Sequence, residues 1–193
     1  MREVPTTIAQ RLGPAAALFA DRGLDQTKME DVATATGVPK ATLYYYFSGK
    51  EDLLAFLLRD TLAAVADAVA IAVDSEGDAR QRLTAVLTAQ LAVMGDQPAV
   101  CRALIADLGR AGRIPDIAQA IADSFYRPVE RLLREGAEER SLRSVADPAA
   151  AAVAIFGAVT ISGLSHMVLA GGVPVQQVVA QLTDLLLGGL EPR

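Results

Sequence analysis

The stretch from Thr27 to Phe47 constrains this chain more than any other, because it spells two short helices about a Gly-Val-Pro turn. Thr27 is placed to cap the first helix, with Glu30 reaching back to it as a capping box, and Met29, Val32 and Ala33 then share one apolar face. Gly37 supplies the positive torsion of a helix C-cap, while Pro39 forces Val38 extended and offers itself as the first residue of the next helix. In that helix Leu43 and Phe47, four apart, must point into a core, and Ala41, Thr42 and Tyr45 are carried to the opposite side. Ser48 to Glu51 then reads as another capping box, so a third helix starts with Lys50 in its electropositive first turn, where a phosphate would be welcome. This is the layout of a helix-turn-helix, whose second helix lies in a major groove with its N-terminal residues at base edges.

Upstream, Ile8, Leu12, Ala15, Ala16 and Phe19 form a helical stripe that starts from a Thr7 to Gln10 capping box. Gly13-Pro14 falls inside it, and an interior proline costs about 3 kcal/mol. The expectation is a kink at residues 10 to 14 or a helix that starts late, which leaves Arg2 and Arg11 unplaced.

Phe19, Gly23, the Thr27 to Phe47 stretch and the following Ser48-Gly49-Lys50-Glu51-Asp52-Leu53-Leu54 resemble the N-terminal domain of the TetR family of transcriptional regulators. The resemblance ends near residue 55, and in it order, spacing and residue type agree together. It implies that Lys40, Ala41, Thr42 and Tyr45 face bases and that Thr27, Tyr44, Tyr46 and Lys50 face phosphates. For Tyr44 and Tyr46 the alternative is a partly buried aromatic shelf, Tyr46 lying nearer in helical angle to Leu43 and Phe47.

Charge supports a local reader. The 193-residue chain carries a net charge of -5, which argues against a protein that coats nucleic acid with its whole surface. Residues 1–50 nevertheless balance at +1 against -6 for the remainder, and the three lysines, Lys28, Lys40 and Lys50, all lie in the helix-turn-helix region. The 52% hydrophobic content suffices for a real core, which makes disorder an unsuitable reading. One cysteine, Cys101, allows no internal disulfide, and no basic flank precedes an apolar run at the N-terminus, so a cytoplasmic location is expected.

Beyond Lys50 the apolar positions recur at spacings of three and four with no alternating stretch. Helices are predicted over 50–73, 78–95, 98–109, 115–137, 147–170 and 174–187, the fourth kinked at Pro128 because the stripe Ile117, Ile121, Phe125, Val129, Leu132 keeps its phase through it. The helix from Lys50 would connect the reader to the rest of the chain as a rigid rod. The run Pro148–Thr183 contains no Asp, Glu, Lys or Arg. Its first helix is long enough to span a bilayer, but it holds His166, is rich in small residues and lacks an aromatic belt and a basic flank. A helix apolar all round must still be buried, and Ala151, Ala154, Ala158, Ser162 and Ser165 allow close helix approach. A subunit interface is the better reading. By resemblance, the last two helices pair with those of a second copy in a four-helix bundle.

Little here could run a reaction. There are one His and one Cys, with no zinc-type pairs and no glycine-rich phosphate loop, and adjacent Ser165 and His166 on a helix point apart. Neither enzymatic activity nor a metal or cofactor is expected. The resemblance implies instead a small-molecule pocket, for which Phe56, Met94, Cys101, Leu104, Phe125, Tyr126, Phe156, His166 and Met167 are available, although plain core is the readier explanation for the apolar ones and core or interface packing serves equally for His166. Arg102, Asp107 and Arg110 are charged candidates near such a cavity.

The expected molecule is all-α: a three-helix helix-turn-helix domain over 1–49, and a six-helix dimerisation and ligand domain over 50–193. Its expected role is a sequence-specific DNA-binding transcriptional regulator, a homodimeric repressor released from a palindromic operator by a small-molecule effector. The alternatives are a helical protein-interaction module and a membrane-attached helical protein built on 148–170.

Overall fold

The computed structural model describes residues 3–106, 115–169 and 171–188, and every regular element among them is helical. Asp107 and Arg110, with Arg2, lie outside the described residues. The helices are α1 (Thr6–Ala9), α2 (Gly13–Gln26), α3 (Met29–Thr36), α4 (Lys40–Tyr46), α5 (Lys50–Val73), α6 (Ala79–Asp96), α7 (Pro98–Ala106), α8 (Pro115–Ile121), α9 (Arg127–Glu139), α10 (Pro148–Leu169) and α11 (Val175–Leu182). Turns of π-helix follow α8 at Ala122–Tyr126 and α11 at Thr183–Leu187.

The prolines explain the two interrupted helices. Pro14 falls at the start of α2, where a missing N–H costs nothing, so the expected first helix is split by residues 10–12. The predicted Thr7 to Gln10 capping box does not form: Pro5 precedes α1 and no side chain caps it. Pro128 sits in the first turn of α9, and the π turn ahead of it carries the chain from α8 into α9 without a break. The expected kinked single helix is thus a continuous one with a widened turn.

The backbone groups into two compact units, Met1–Thr61 with Gln97–Ala118, and Leu62–Asp96 with Gln119–Arg193. In the first, α2 packs against α3 and α7, and α3 against α4. Leu12, Phe19, Leu24, Val32, Leu43 and Phe47 are fully buried there, and Phe56 meets Phe47 edge to face at 5.4 Å between ring centres.

In the second unit, α6, α9 and α10 pack on one another and α11 packs on α6 and α10. Arg82 of α6 pairs with Glu135 at 2.9 Å, and the Ala79 amide donates to the Glu139 carboxylate, so α9 runs antiparallel to α6. The Ala79 amide and the Ser141 hydroxyl hold the Glu139 carboxyl below its ordinary value. Phe125 and Tyr126, at the start of the α9 arm, both meet Phe156 edge to face at 5.3 Å, and α10 therefore returns antiparallel to α9 and parallel to α6.

Helix α10 has the length and mean hydropathy, 1.8, of a membrane span. One face of it, Ala152, Ile155, Phe156, Val159, Thr160, Gly163 and Met167, is nevertheless buried within the second unit.

Candidate nucleic-acid interface

Two hydroxyls fix the ends of the helices that build the reader. Thr27 is fully buried and donates to the Gly23 carbonyl at 2.8 Å, closing α2 where Gly23 turns out of helical conformation (φ 74°). It is therefore not the cap of α3. Lys28 occupies that position and Asp31, not Glu30, accepts from the Lys28 amide at 3.0 Å. Thr36 donates to Val32 at 2.7 Å and accepts from the Val38 amide at 3.2 Å, which ties the end of α3 to the turn.

Gly37 takes the left-handed conformation (φ 64°) expected from the sequence, and Arg11 donates to its carbonyl. Pro39 is extended and precedes α4 as its N-cap, one residue earlier in role than expected. Leu43 and Phe47 are buried, as their spacing required, so the rest of α4 is turned outward. Lys40, Ala41 and Tyr45 are exposed, and Thr42 is half-buried.

The Lys40 ammonium is not idle: it pairs with the Glu30 carboxylate of α3 and lies 5.7 Å from the Tyr44 ring centre. That pairing, chiefly its hydrogen bond, lowers the Glu30 carboxyl and raises the Lys40 amine from their ordinary values.

Of the expected phosphate contacts, Tyr44 is half exposed, Tyr46 is partly covered and meets the Tyr45 ring edge to face at 4.9 Å, and Thr27 is inside. Lys50 begins α5, but its ammonium donates to the Leu24 and Asp25 carbonyls at 2.6 and 3.2 Å. The helix start is capped by Asp52 instead of Glu51, accepting from the Ser48 amide at 3.0 Å. Between α3, α4 and α5 lies a hollow of about 380 Å³ lined by Lys28, Glu30, Tyr44, Ser48, Gly49 and Lys50 among others. Lys28, exposed beside it, is a cation that the sequence placed in this region but to which no phosphate contact was assigned. Its position one residue after the expected cap was the available signal.

The residues expected to line an effector pocket are divided. Phe56, Cys101 and Leu104 belong to the first unit; Met94, Phe125, Tyr126, Phe156, His166 and Met167 belong to the second. Burial pushes the Cys101 thiol up to about 11 and raises the Tyr126 hydroxyl from its ordinary value. Sequence reading missed three buried polar residues of the second unit, Gln90, Ser124 and Thr160.

A short, outward-turned helix held by a glycine turn against a capped partner, with lysines and tyrosines on its open side, is the arrangement of a helix-turn-helix. The sequence model of bacterial regulatory proteins of the tetR family matches residues 12–56. Over that stretch the chain resembles the TetR family of regulators. It is 44% identical over 48 residues to the HTH-type transcriptional repressor KstR2 of Mycolicibacterium smegmatis, a match spanning 25% of this chain and 23% of that protein. The structure of the ketosteroid transcriptional regulator KstR2 of Mycobacterium tuberculosis superposes with a TM-score of 0.79 at 25% identity, covering 99% of this chain and 98% of that one. The fold also matches a transcriptional regulator FadR from Bacillus subtilis in complex with stearoyl-CoA, with a TM-score of 0.75 at 18% identity, covering 95% and 99% of the two chains.

Proposed function

We propose that this protein is a cytoplasmic, homodimeric transcriptional repressor that reads a near-palindromic operator through α4 and is released from it by a small apolar effector. The observation that carries the reading is the open face of α4: Lys40, Ala41, Thr42 and Tyr45 project from a helix whose other side is locked by Leu43 and Phe47. Tyr44, Tyr46, Lys28 and Lys50 surround it as phosphate-side contacts, Lys50 also tying α5 to the end of α2. Thr27 supports them from inside. In functional terms residues 1–49 read DNA, and residues 50–193 dimerise and bind the effector.

The dimer follows from α10. Opposite its buried side, Ala151, Ala154, Ala158, Ile161, Ser165 and Val168 recur at alternating spacings of three and four, with Ile161 and Val168 52% and 63% exposed. Such a seam suits a helix pairing around a twofold axis, with Ser162 at its margin. Two readers so coupled would contact half-sites about 34 Å apart.

Similarity to a ketosteroid regulator, and to a regulator bound to stearoyl-CoA, supports an effector with a large apolar part. Release then follows from differential affinity: an effector that favours a reader separation unsuited to the operator must itself bind less tightly when operator is present. Selection of sequences from a random DNA pool at two salt concentrations tests the reading. An enriched near-palindrome that survives the higher salt is expected. Purely salt-sensitive retention without enrichment overturns it in favour of a protein-interaction module.

A further inference from the structure

Threonines inside helices usually return their hydroxyl to a carbonyl one turn back, and in this chain Thr34, Thr36, Thr84 and Thr88 all do so at 2.7 to 3.0 Å. Thr160 does not. It is 3% exposed in the middle of α10, and its Oγ1 has no hydrogen-bond partner within the protein. Gln90 of α6 is 5% exposed, and its Oε1 is likewise unpartnered. A buried polar atom left without a partner bears the full cost of its lost hydration.

These two residues sit at one level of the second unit. A Cβ on Gly163 would fall 2.7 Å from the Met94 methyl and 3.0 Å from Leu91, so that point of α10 abuts that point of α6. Because α6 and α10 run parallel, one turn back from each brings Thr160 and Gln90 to matching heights. Phe156, a further turn back on the Thr160 face, is the ring that Phe125 and Tyr126 contact, and those two lie in the π turn, a widening of the helix frequent at functional sites. Met94 is a flexible wall that can move aside.

We propose that Gln90 and Thr160 are the polar end of an effector site whose ligand is an uncharged apolar molecule bearing a hydroxyl group, which donates to Gln90 Oε1 and accepts from Thr160 Oγ1. This deepens the reading of the second unit as the effector domain and rests on it. The other buried polar residue of this unit among those described is Ser124, also neutral, and its hydroxyl is used at 3.3 Å by the Ile121 carbonyl. Gln90, Thr160 and Ser124 are all neutral, so an ionised ligand group at this depth is disfavoured by its lost hydration. The hydroxyl specifies orientation, because an apolar surface alone would accept a ligand in several poses.

The test measures binding of 1-decanol, decyl methyl ether and decanoate to the full-length protein by calorimetry. The alcohol can donate and accept, the ether only accepts, and decanoate is charged at neutral pH. The expected result is that decanol binds about tenfold more tightly than the ether, with decanoate weaker still. Thr160→Val, nearly isosteric, abolishes the preference for alcohol over ether, and Gln90→Leu does the same. Thr88→Val, on the exposed side of α6, leaves the preference intact. Both core variants also melt at a higher temperature than the parent without ligand, because each removes an unpartnered buried atom, and that shift is readable even if decanol affinity is low. Equal binding of alcohol and ether by the parent, or an alcohol preference that survives Thr160→Val, overturns the proposal. Decanol preference with operator DNA still bound supports this site and overturns only ligand-driven release.

Discussion

The reader and the second unit are both helical, yet their sequences specify them in different ways. In the reader nearly every turn is decided by a single atom: the Thr27 hydroxyl on Gly23, the Asp31 and Asp52 carboxylates at helix starts, the Lys50 ammonium on Leu24 and the left-handed Gly37. The second unit is built from apolar stripes on long helices, and α6 is joined to α9 by the pairing of Arg82 with Glu135 and Glu139. A surface that must present chosen side chains to bases needs fixed angles. A domain proposed to admit a ligand and a second copy gains from apolar area and adaptable walls.

The largest expected effect comes from the buried aromatic contact between Phe47 and Phe56. Phe47→Ala removes a buried ring packed on Phe56 and should cost about 3 to 5 kcal/mol of the first unit's stability. Measured by denaturant unfolding, the loss should fall on the reader's transition and abolish operator binding. If a single transition covers the whole chain and shifts as one, the contrast between the units is kinetic or absent.

Next comes Cys101. Its folded pKa, about 11, lies above the ordinary 9.0, so the stability gained by burying the neutral thiol is complete below pH 9 and is lost as pH rises towards 11. The loss should be about 2 to 3 kcal/mol, and a Cys101→Ala variant should lack that part of the decline between pH 8.5 and 11. Equal declines in both proteins would show the thiol to be accessible to water.

Smaller effects of opposite sign should separate the two kinds of helix end. Gly37→Ala places a side chain at φ 64° and a Cβ 2.7 Å from the Arg11 guanidinium, and should cost about 1 to 2 kcal/mol. At the end of α9, Arg140 holds φ 63° without being glycine, and Arg140→Gly should stabilise by about 0.5 to 1 kcal/mol. Thermal melts of both variants check the pair.

The smallest change is Glu30→Gln. It releases Lys40 from its carboxylate, and the salt dependence of DNA binding should steepen by roughly one counterion per reader. An unchanged slope would mean that Lys40 already leaves Glu30 when DNA binds.

The features legible in the sequence were those set by spacing: the buried Leu43 and Phe47, the left-handed Gly37, and the bounds of α5 at Lys50 and Val73. Caps slipped by one residue because acidic residues stand side by side at 30 and 31 and at 51 and 52. Which of them closes the box depends on where the helix starts, and at α3 that was decided by Thr27 turning back to Gly23, a contact between elements that no local pattern encodes. Pro128 announced a disturbance, but the π turn that absorbs it depends on the packing of Phe125 and Tyr126 against Phe156. Gln90 and Thr160 escaped notice because a lone amide and a lone hydroxyl in apolar helices look ordinary until their partners are sought.

The confinement of lysine to positions 28, 40 and 50 makes the DNA face chemically addressable on its own. A protease that cuts after lysine has three sites in the reader and none in residues 51–193. Digestion in the folded state therefore reports on α3, α4 and the start of α5 alone, and protection by added DNA becomes a footprint recorded on the protein. An amine-reactive dye or bead would modify the same small region, so immobilisation should be made through another chemistry if the reader is to remain open.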